Sequence, residues 1–370
     1  MPVRVLQLIN ATLDPRIERE IAADRQPRKD YLELQRALQA DVIDLGALER
    51  RFWTRLVRRC AGTAIAQALL ALTCCRQYDV VFVDRESAGF ALAALLRLRR
   101  HRPRVTMIGH MLSPASKRVL FRFLRLNRWV DRLIVHSSLQ QQVAEQELGV
   151  PPERTALLPY QADQRFWKPL AVAQRAQICS AGLEFRDYQT MLEAVAGLNV
   201  DVVIAAASHW STHTGLPSAR LLPPNVRMAA LNYVALRHLY AESLFVVVPL
   251  QDVENQAGIT TILEAMAMGK AVVVSHTRGQ IDVVRDRRRV DRTNPRRPTQ
   301  PEWARTLGAT EEAAHGHTGI YVQPGDAAEL RRAITFLLTH PEQARAMGAN
   351  GRRLIEQTMG LDHYTARIRA

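Results

Sequence analysis

The stretch LFVVVPLQDVENQAGITTILEAMAMGKAVVVSHTRG, Leu244 to Gly279, decides the fold of this chain. It opens with a continuous apolar run that has the length and the β-branched content of a buried parallel strand. A polar loop with Gly258 follows, and the pattern then predicts a helix from Thr260 to Met268, ended by Gly269. Ala271–Val274 is a second buried strand. This order predicts a βαβ unit whose loop lies at the carboxyl end of the first strand, where open parallel sheets bind ligands.

The start of this helix is a candidate anion site. Backbone N–H groups at Gly258, Ile259 and Thr260 have no partner inside the helix, and the helix dipole places positive charge there. A diphosphate is the most natural ligand for such a site. Glu264 lies one turn further on, where its carboxylate could accept both hydroxyls of a ribose. The alternative is that the glycine and the glutamate belong to ordinary sheet architecture.

The same residues resemble glycosyltransferase family 4, a group of retaining enzymes with the two-domain GT-B fold. The segment LEAMAMGKAVV, Leu263–Val273, matches the second half of the family's motif. By this resemblance Glu264 is the glutamate that binds the ribose of a nucleotide sugar. The family has another glutamate eight positions upstream, where this chain has Gln256, so either Gln256 or the displaced Glu254 is expected to face the donor sugar. The resemblance implies an α/β chain with two Rossmann-like, doubly wound parallel sheets that face a cleft.

Composition is that of an ordinary globular protein with a basic first half. The 370 residues are 47% hydrophobic and 23% charged, enough for two domains with cores of their own. Residues 1–169 carry 28 lysines and arginines against 17 acidic residues, whereas residues 170–370 carry 22 against 19. A basic half indicates either an anionic partner, such as lipid headgroups or a phosphorylated substrate, or simply a solvated arginine-rich surface.

Cysteine usage and hydropathy bear on the compartment. The four cysteines show no metal-binding spacing, and the adjacent Cys74 and Cys75 argue against a disulfide framework. The N-terminus has the pattern of a strand rather than a cleavable leader, and the longest apolar stretch, Ala61–Cys75, is too short to span a bilayer. We therefore expect a cytoplasmic protein, either free or at the inner face of the cytoplasmic membrane.

In the first half, the strand Val3–Ile9 is followed by Asn10-Ala11-Thr12, where GT-B relatives often have glycines beside the donor phosphates. The strand Val105–Ile108 ends at Gly109-His110. A histidine at this place recurs in family 4 beside the transferred sugar, so the resemblance makes His110 a candidate sugar contact. A lone histidine at a strand end is otherwise more often structural.

The segment Leu48–Cys75 opens with LERRFWTRLVRRCAG, in which bulky apolar residues alternate with arginines. On a helix this spacing is typical of an interfacial amphipathic helix that lies on an anionic membrane surface. The alternative is that the apolar stripe covers the core and the arginines face water. Ala115–Leu126 mixes cations with apolar residues in the same way, and so could face a membrane or an acceptor.

The second half opens with the strand Gln177–Gly182, followed by Leu183-Glu184-Phe185-Arg186-Asp187. Family 4 places two cations here that hold the donor diphosphate, and this chain offers Arg186 as one of them. Pairing of Arg186 with Glu184 or Asp187 is the structural alternative. Gly182, Asn232 and Tyr233 are further candidate donor contacts, with Leu231–Tyr233 expected beside the nucleobase. Ser208–Ser211 should lie near the base and sugar, and Val284–His317 is an insertion too long for an ordinary connection.

Together these features predict an acceptor domain at 1–169, a donor domain at 170–345, and a terminal helix at 346–370 that returns to the first. The predicted function is a retaining glycosyltransferase that moves a sugar from a nucleoside-diphosphate sugar to an unidentified acceptor, such as a lipid or cell-envelope glycan. His110, Arg186, Gln256 and Glu264 have binding and stabilising roles, and no side chain is assigned as base. We expect no cofactor, no metal and no nucleic-acid partner. The rivals are a GT-B epimerase or phosphorylase, a degenerate member that binds a nucleotide sugar without turnover, and a nucleic-acid-binding protein. The last would explain the positive charge, but no recognisable nucleic-acid motif accompanies it.

Overall fold

A computed structural model of the chain describes residues 3–206, 222–286 and 316–370. Most of the predicted insertion Val284–His317 and the predicted loop Ser208–Ser211 lie outside these residues. The chain divides by contacts into two compact units. Unit 1 comprises Met1–Arg19, Arg28–Pro159 and Thr365–Ala370, and unit 2 comprises Glu20–Pro27 and Tyr160–Tyr364. That residues 1–169 and 170–345 fold as independent domains stays a prediction.

Unit 1 is built on a six-stranded parallel sheet with the order β2-β1-β3-β4-β5-β6. Its strands are β1 (Val5–Leu8), β2 (Asp41–Ile43), β3 (Val80–Val83), β4 (Arg104–Gly109), β5 (Arg132–Val135) and β6 (Thr155–Leu157). The helices along this part of the chain are α1 (Pro15–Ala22), α2 (Asp30–Leu38), α3 (Leu45–Glu49), α4 (Phe52–Ala61), α5 (Thr63–Cys74), α6 (Glu86–Leu96), α7 (Ala115–Phe123) and α8 (Ser138–Gln142). Apolar residues of the strands pack against α5 and α6, which are the most buried of these helices, to form the core.

Local sequence explains where several of these helices begin and end. The segment Leu48–Cys75 forms three helices rather than one, because Gly62 has a φ of 88° and separates α4 from α5. Ser137 caps α8 by accepting a hydrogen bond from the backbone N–H of Gln140, as its position before the helix predicts. The segment Ala115–Leu126, which mixes cations with apolar residues, forms helix α7 over Ala115–Phe123.

Unit 2 contains the second six-stranded parallel sheet, with the order β12-β11-β10-β7-β8-β9. Its strands are β7 (Gln177–Ala181), β8 (Asp201–Ala205), β9 (Val226–Ala229), β10 (Val246–Val248), β11 (Val272–Ser275) and β12 (Gly319–Val322). The helices along this part of the chain are α9 (Tyr188–Val195), α10 (Tyr233–Glu242), α11 (Ile259–Ala267), α12 (Ala327–Thr339), α13 (Pro341–Leu354) and α14 (Leu361–Arg369), and α14 belongs to unit 1 from Thr365 onward. The predicted βαβ unit is confirmed as β10, α11 and β11, and both of its strands are fully buried, as a parallel sheet covered by helices requires.

Candidate functional site

The strand order of unit 2 places a topological switch point between β7 and β10. From β7 the chain proceeds to β8 on one side, and from β10 it proceeds to β11 on the other. Ligands of open parallel sheets bind outside the carboxyl ends of strands at such a point, because the two outgoing loops diverge there. The loop after β7 carries Gly182 and Arg186, and the loop after β10 ends at Gly258. The structure therefore brings together residues that the sequence singles out in two separate motifs.

The guanidinium of Arg186 bridges the two loops. Its Nε donates to the carbonyl oxygen of Ala181 at 2.9 Å, and its Nη1 donates to that of Glu184 at 2.9 Å. Its Nη2 donates to Oγ1 of Thr261, in the first turn of α11, at 3.1 Å. These three bonds leave one N–H on each terminal nitrogen of the guanidinium. Burial lowers the pKa of Arg186, but a guanidinium keeps its charge at neutral pH.

Two glycines make room for this guanidinium. Gly182 has a φ of 92°, and a Cβ at this position would collide with Nη2 of Arg186. Gly258 has a φ of 76°, and a Cβ there would lie 2.9 Å from Cγ1 of Val248. Both positions thus need glycine for conformation and for space. The predicted alternative, in which Arg186 pairs with the carboxylate of Glu184 or Asp187, is not what the structure contains, since Arg186 contacts the carbonyl oxygen of Glu184 and Asp187 caps α9.

The first turn of α11 offers backbone donors beside Arg186. Gly258 is the N-cap residue and provides no side-chain cap. The N–H of Ile259 donates to the carbonyl oxygen of Gln256 at 3.2 Å. The N–H groups of Thr260 and Thr261 donate to no described residue. Together with the helix dipole and the guanidinium, these two groups form a positive, donor-rich site for an anion.

Glu264 lies one turn further along α11 and is held by a tyrosine. The buried hydroxyl of Tyr240 donates to Oε2 of Glu264 at 3.1 Å. Burial and the Glu264 carboxylate raise the pKa of Tyr240 well above its usual range, so this hydroxyl stays a donor. Glu264 also interacts electrostatically with Arg186. The carboxylate is therefore a positioned acceptor next to the anion site.

Gln256 and Glu254 lie in the loop between β10 and α11 but have different surroundings. Nε2 of Gln256 is buried and has no hydrogen-bond partner among the described residues. A buried donor without a partner is costly, and a ligand oxygen would satisfy it. Glu254 instead accepts a hydrogen bond at 2.9 Å from Nη1 of Arg278. Arg278, a further arginine of unit 2 that could serve as a second cation of the phosphate site, is thus engaged with an acid.

The remaining predicted contacts of unit 2 lie at the start of α10. The side chain of Asn232 caps this helix by accepting from the N–H of Ala235 at 2.9 Å. Tyr233 is the first helical residue, and its ring contacts Phe166 and Trp167 edge to face, with centroids 6.5 and 6.3 Å apart. The side chain of Tyr233 is partly exposed, at 37%. The nucleobase contact proposed for Asn232 and Tyr233 stays a prediction.

His110 belongs to unit 1, where polar groups collect at the switch point between β1 and β3. Its Nε2 lies 2.9 Å from the carbonyl oxygen of Asp84, and its backbone N–H donates to Glu86 at 3.2 Å. Oδ2 of Asp84 accepts from the N–H of Asn10 at 2.7 Å. Burial, with the nearby Asp30 carboxylate, raises the pKa of Asp84 to about 6. Lys117 donates to the buried Glu86 at 2.5 Å. His110 is thus fixed by backbone and carboxylate contacts, and its ring is exposed.

Sequence reasoning missed several residues of these clusters, among them Asp84, Thr261 and Tyr240. Asp84 directly follows the strand β3, and an acid at the carboxyl end of a parallel strand is a signal that could have found it. Thr261 and Tyr240 contact Arg186 and Glu264, but no local pattern distinguishes them from ordinary helix residues. Among the described residues, no group of three histidines, cysteines, aspartates or glutamates could hold a metal ion.

Comparison of the whole chain with solved structures identifies its architecture. Sucrose-phosphate synthase from Thermosynechococcus elongatus matches with a TM-score of 0.65 at 15% identity, over 99% of this chain and 97% of that one. HepE from Anabaena, solved in complex with UDP-glucose, matches with a TM-score of 0.64 at 16% identity, over 99% and 98%. A glycosyltransferase from Rickettsia africae matches with a TM-score of 0.61 at 11% identity, over 99% and 96%. The chain has the GT-B fold. No family model matches the sequence, and comparison with curated protein sequences gives no match.

Proposed function

We propose that this protein is a glycosyltransferase of the family 4 type, which takes a sugar from a nucleoside-diphosphate sugar and transfers it to an acceptor hydroxyl. One observation carries the proposal: the guanidinium of Arg186 and the open first turn of α11 converge at the switch point of the second sheet. Neighbours of the same fold support it, since HepE has been solved with UDP and with UDP-glucose. The motif Leu263–Val273, which contains Glu264, is the sequence feature that agrees with it.

In this proposal each group of the site has one task. Arg186 and the N–H groups of Thr260 and Thr261 bind the diphosphate and stabilise its negative charge as it leaves, which lowers the barrier to transfer. Glu264, positioned by Tyr240, accepts the ribose hydroxyls. Gln256 donates its buried N–H to the sugar or to the diphosphate. His110 and Asp84 of unit 1 are proposed to bind sugar or acceptor hydroxyls.

We further propose that the reaction retains the anomeric configuration. In this mechanism an oxygen of the donor phosphate, rather than a side chain, accepts the proton of the acceptor hydroxyl, so no general base is needed. Positioning of the hydroxyl beside the anomeric carbon then contributes most of the remaining rate. The acceptor is proposed to be a lipid or a cell-envelope glycan, bound mainly by the N-terminal half, and the protein is proposed to work in the cytoplasm without a resident metal.

Thermal unfolding in the presence of nucleoside diphosphates and their sugars tests the donor site. A ligand at 100 times its Kd stabilises the native state by about 2.7 kcal/mol, so one base should raise the melting temperature selectively. Glu264→Ala and Arg186→Lys should lose this response, because they remove the ribose acceptor and the planar fork respectively. Arg331→Lys is the matched control, since Arg331 donates to the carbonyl oxygens of Ala194 and Ala196, also in unit 2 but away from the site. An unchanged response in Glu264→Ala would refute the proposed donor site.

A non-catalytic nucleotide-sugar-binding protein is the second candidate. The ion pair of Glu254 with Arg278 favours it, because both side chains are engaged with each other. Gln256 then stands where family 4 has a carboxylate, and Arg186 is the remaining cation of the proposed phosphate site. Incubation of the stabilising nucleotide sugar, isotopically labelled, with liposomes and soluble glycans separates the two. Labelled product with a retained anomeric centre supports transfer, whereas binding without product over a range of acceptors supports the second candidate. A changed sugar epimer or a sugar phosphate would identify an epimerase or a phosphorylase.

A further inference from the structure

Helix α4 turns its bulky apolar residues to solvent. Phe52 is 74% exposed and Leu56 is 54% exposed, and Trp53 beside them is also exposed. Thr54 is the buried residue of this helix, and Val57 packs against the core. The alternative in which this apolar stripe covers the core is therefore wrong for Phe52, Trp53 and Leu56. Large apolar side chains that cluster on a surface mark a contact with another molecule or a membrane.

Cations share the exposed face of α4. Phe52 and Leu56 are four residues apart and so lie on one side of the helix, together with Arg55 and Arg59. No acidic group among the described residues pairs with Arg55 or Arg59, whereas Arg58 pairs with Glu49. The half of the chain that contains this helix has an excess of eleven positive charges. The face thus combines aromatic and aliphatic side chains with cations that have no acidic partner in the described chain.

Helix α7 repeats the arrangement in the same helical layer. Phe123 is 83% exposed and Val119 is 68% exposed, and Arg122 lies between them in sequence, whereas the neighbouring Arg118 pairs with Glu147. Helix α4 packs against α5, which packs against α6. The ring of Phe90 in α6 lies 4.9 Å from that of Phe121 in α7. Because parallel strands are joined by right-handed crossovers, these helices cover one face of the first sheet.

We infer that α4 and α7 bind the surface of a lipid bilayer that contains anionic lipid. The exposed apolar side chains would enter the boundary between headgroups and acyl chains, and the arginines would contact lipid phosphates. Charge favours this occupant, because a protein partner would have to supply a matching acidic surface, and a second copy of this chain would bring the same cations into contact. No helix of the described chain has the length and apolarity to cross a bilayer. The inference goes beyond the proposed function and does not rest on it.

Sedimentation of the full chain with vesicles tests this inference without any nucleotide. We expect binding to vesicles of phosphatidylglycerol and phosphatidylethanolamine, little binding to pure phosphatidylcholine, and weaker binding as salt rises. Phe52→Ser combined with Leu56→Ser should weaken binding about tenfold or more, because two apolar anchors are lost. Arg55→Gln combined with Arg59→Gln should weaken it roughly 25-fold at low salt. Each altered side chain is exposed, so unfolding is not expected, and circular dichroism checks this.

Leu98→Ser is the matched control. Leu98 is an apolar residue of the same unit that is 84% exposed between arginines, but it lies outside α4 and α7. This variant should bind vesicles as the native chain does. Equal binding of the native chain and the Phe52 and Leu56 double variant, or equal binding to anionic and neutral vesicles, would overturn the inference. A third result would also overturn it: the native chain does not bind vesicles but forms a concentration-dependent dimer, and the double variant does not form this dimer. The exposed face of α4 would then be a contact between two copies of the chain.

Discussion

Replacement of Asp84 by asparagine should stabilise the protein at high pH. Burial raises the pKa of the Asp84 carboxyl from 3.8 to about 6, so the native state pays to keep this group charged above pH 6. The two pKa values differ by about 2, which corresponds to about 3 kcal/mol at pH 8. Water reaches part of the side chain, so we expect a gain of about 1 to 3 kcal/mol. The asparagine oxygen can still accept from the N–H of Asn10, and so the loop after β1 keeps its contact.

The sign of the pH dependence follows from proton binding. Between pH 3.8 and pH 6 the native state binds more protons at Asp84 than the unfolded state, so the cost of this group falls as the pH is lowered. The stabilising effect of Asp84→Asn should therefore shrink to about a third at pH 4.5. Asp84 is also proposed to bind sugar or acceptor hydroxyls, so Asp84→Asn should lower the rate of sugar transfer while it raises stability. Residues at functional sites commonly have such a cost in stability.

Urea unfolding of both proteins at pH 8 and pH 4.5, followed by fluorescence, measures this difference. Asp14→Asn is the matched control, because the carboxylate of Asp14 also accepts one backbone N–H, from Arg16 at 2.9 Å, but is exposed. We expect no comparable gain from the control at either pH. A gain from Asp84→Asn that is equal at the two pH values would refute the titration argument, and a loss at pH 8 would show that the charged carboxylate is stabilised by contacts that outweigh its burial.

Three further predictions concern unit 2. Gly258→Ala should lower the free energy of unfolding, measured by urea denaturation, by about 1 to 3 kcal/mol more than Gly197→Ala does. Both glycines have positive φ, but a Cβ at Gly197 would meet nothing within 4 Å. Tyr240→Phe should weaken nucleotide binding about threefold to tenfold in calorimetry, because the Glu264 carboxylate loses a hydrogen bond, and unchanged affinity would remove Tyr240 from the site. Arg237→Lys should destabilise the protein by about 1 to 2 kcal/mol in thermal unfolding, since the guanidinium stacks 4.3 Å from the ring of Phe166.

The elements nearest the candidate site were predictable because their signals are local. Apolar runs between polar loops predict buried parallel strands, and β10 and β11 confirm this. Ser137 acts through its own backbone neighbourhood, so its role as a helix cap needs no knowledge of distant residues. The tertiary partners of Arg186 were not predictable in this way. Thr261 is 75 residues from it in the chain, and the two meet because β7 and β10 are neighbours in the sheet.

The amino-acid sequence by itself determined the βαβ unit, the helix start at Gly258 and the position of Glu264 one turn into α11, because periodicity, glycine and helix polarity act over a few residues. Only the tertiary structure decided what each side chain meets. It pairs Glu254 with Arg278, places Tyr240 on Glu264, and turns Phe52 and Leu56 to solvent. Periodicity reports that a helix has an apolar face, but long-range packing decides whether that face meets the core or the solvent, and the order of the strands decides which loops become neighbours.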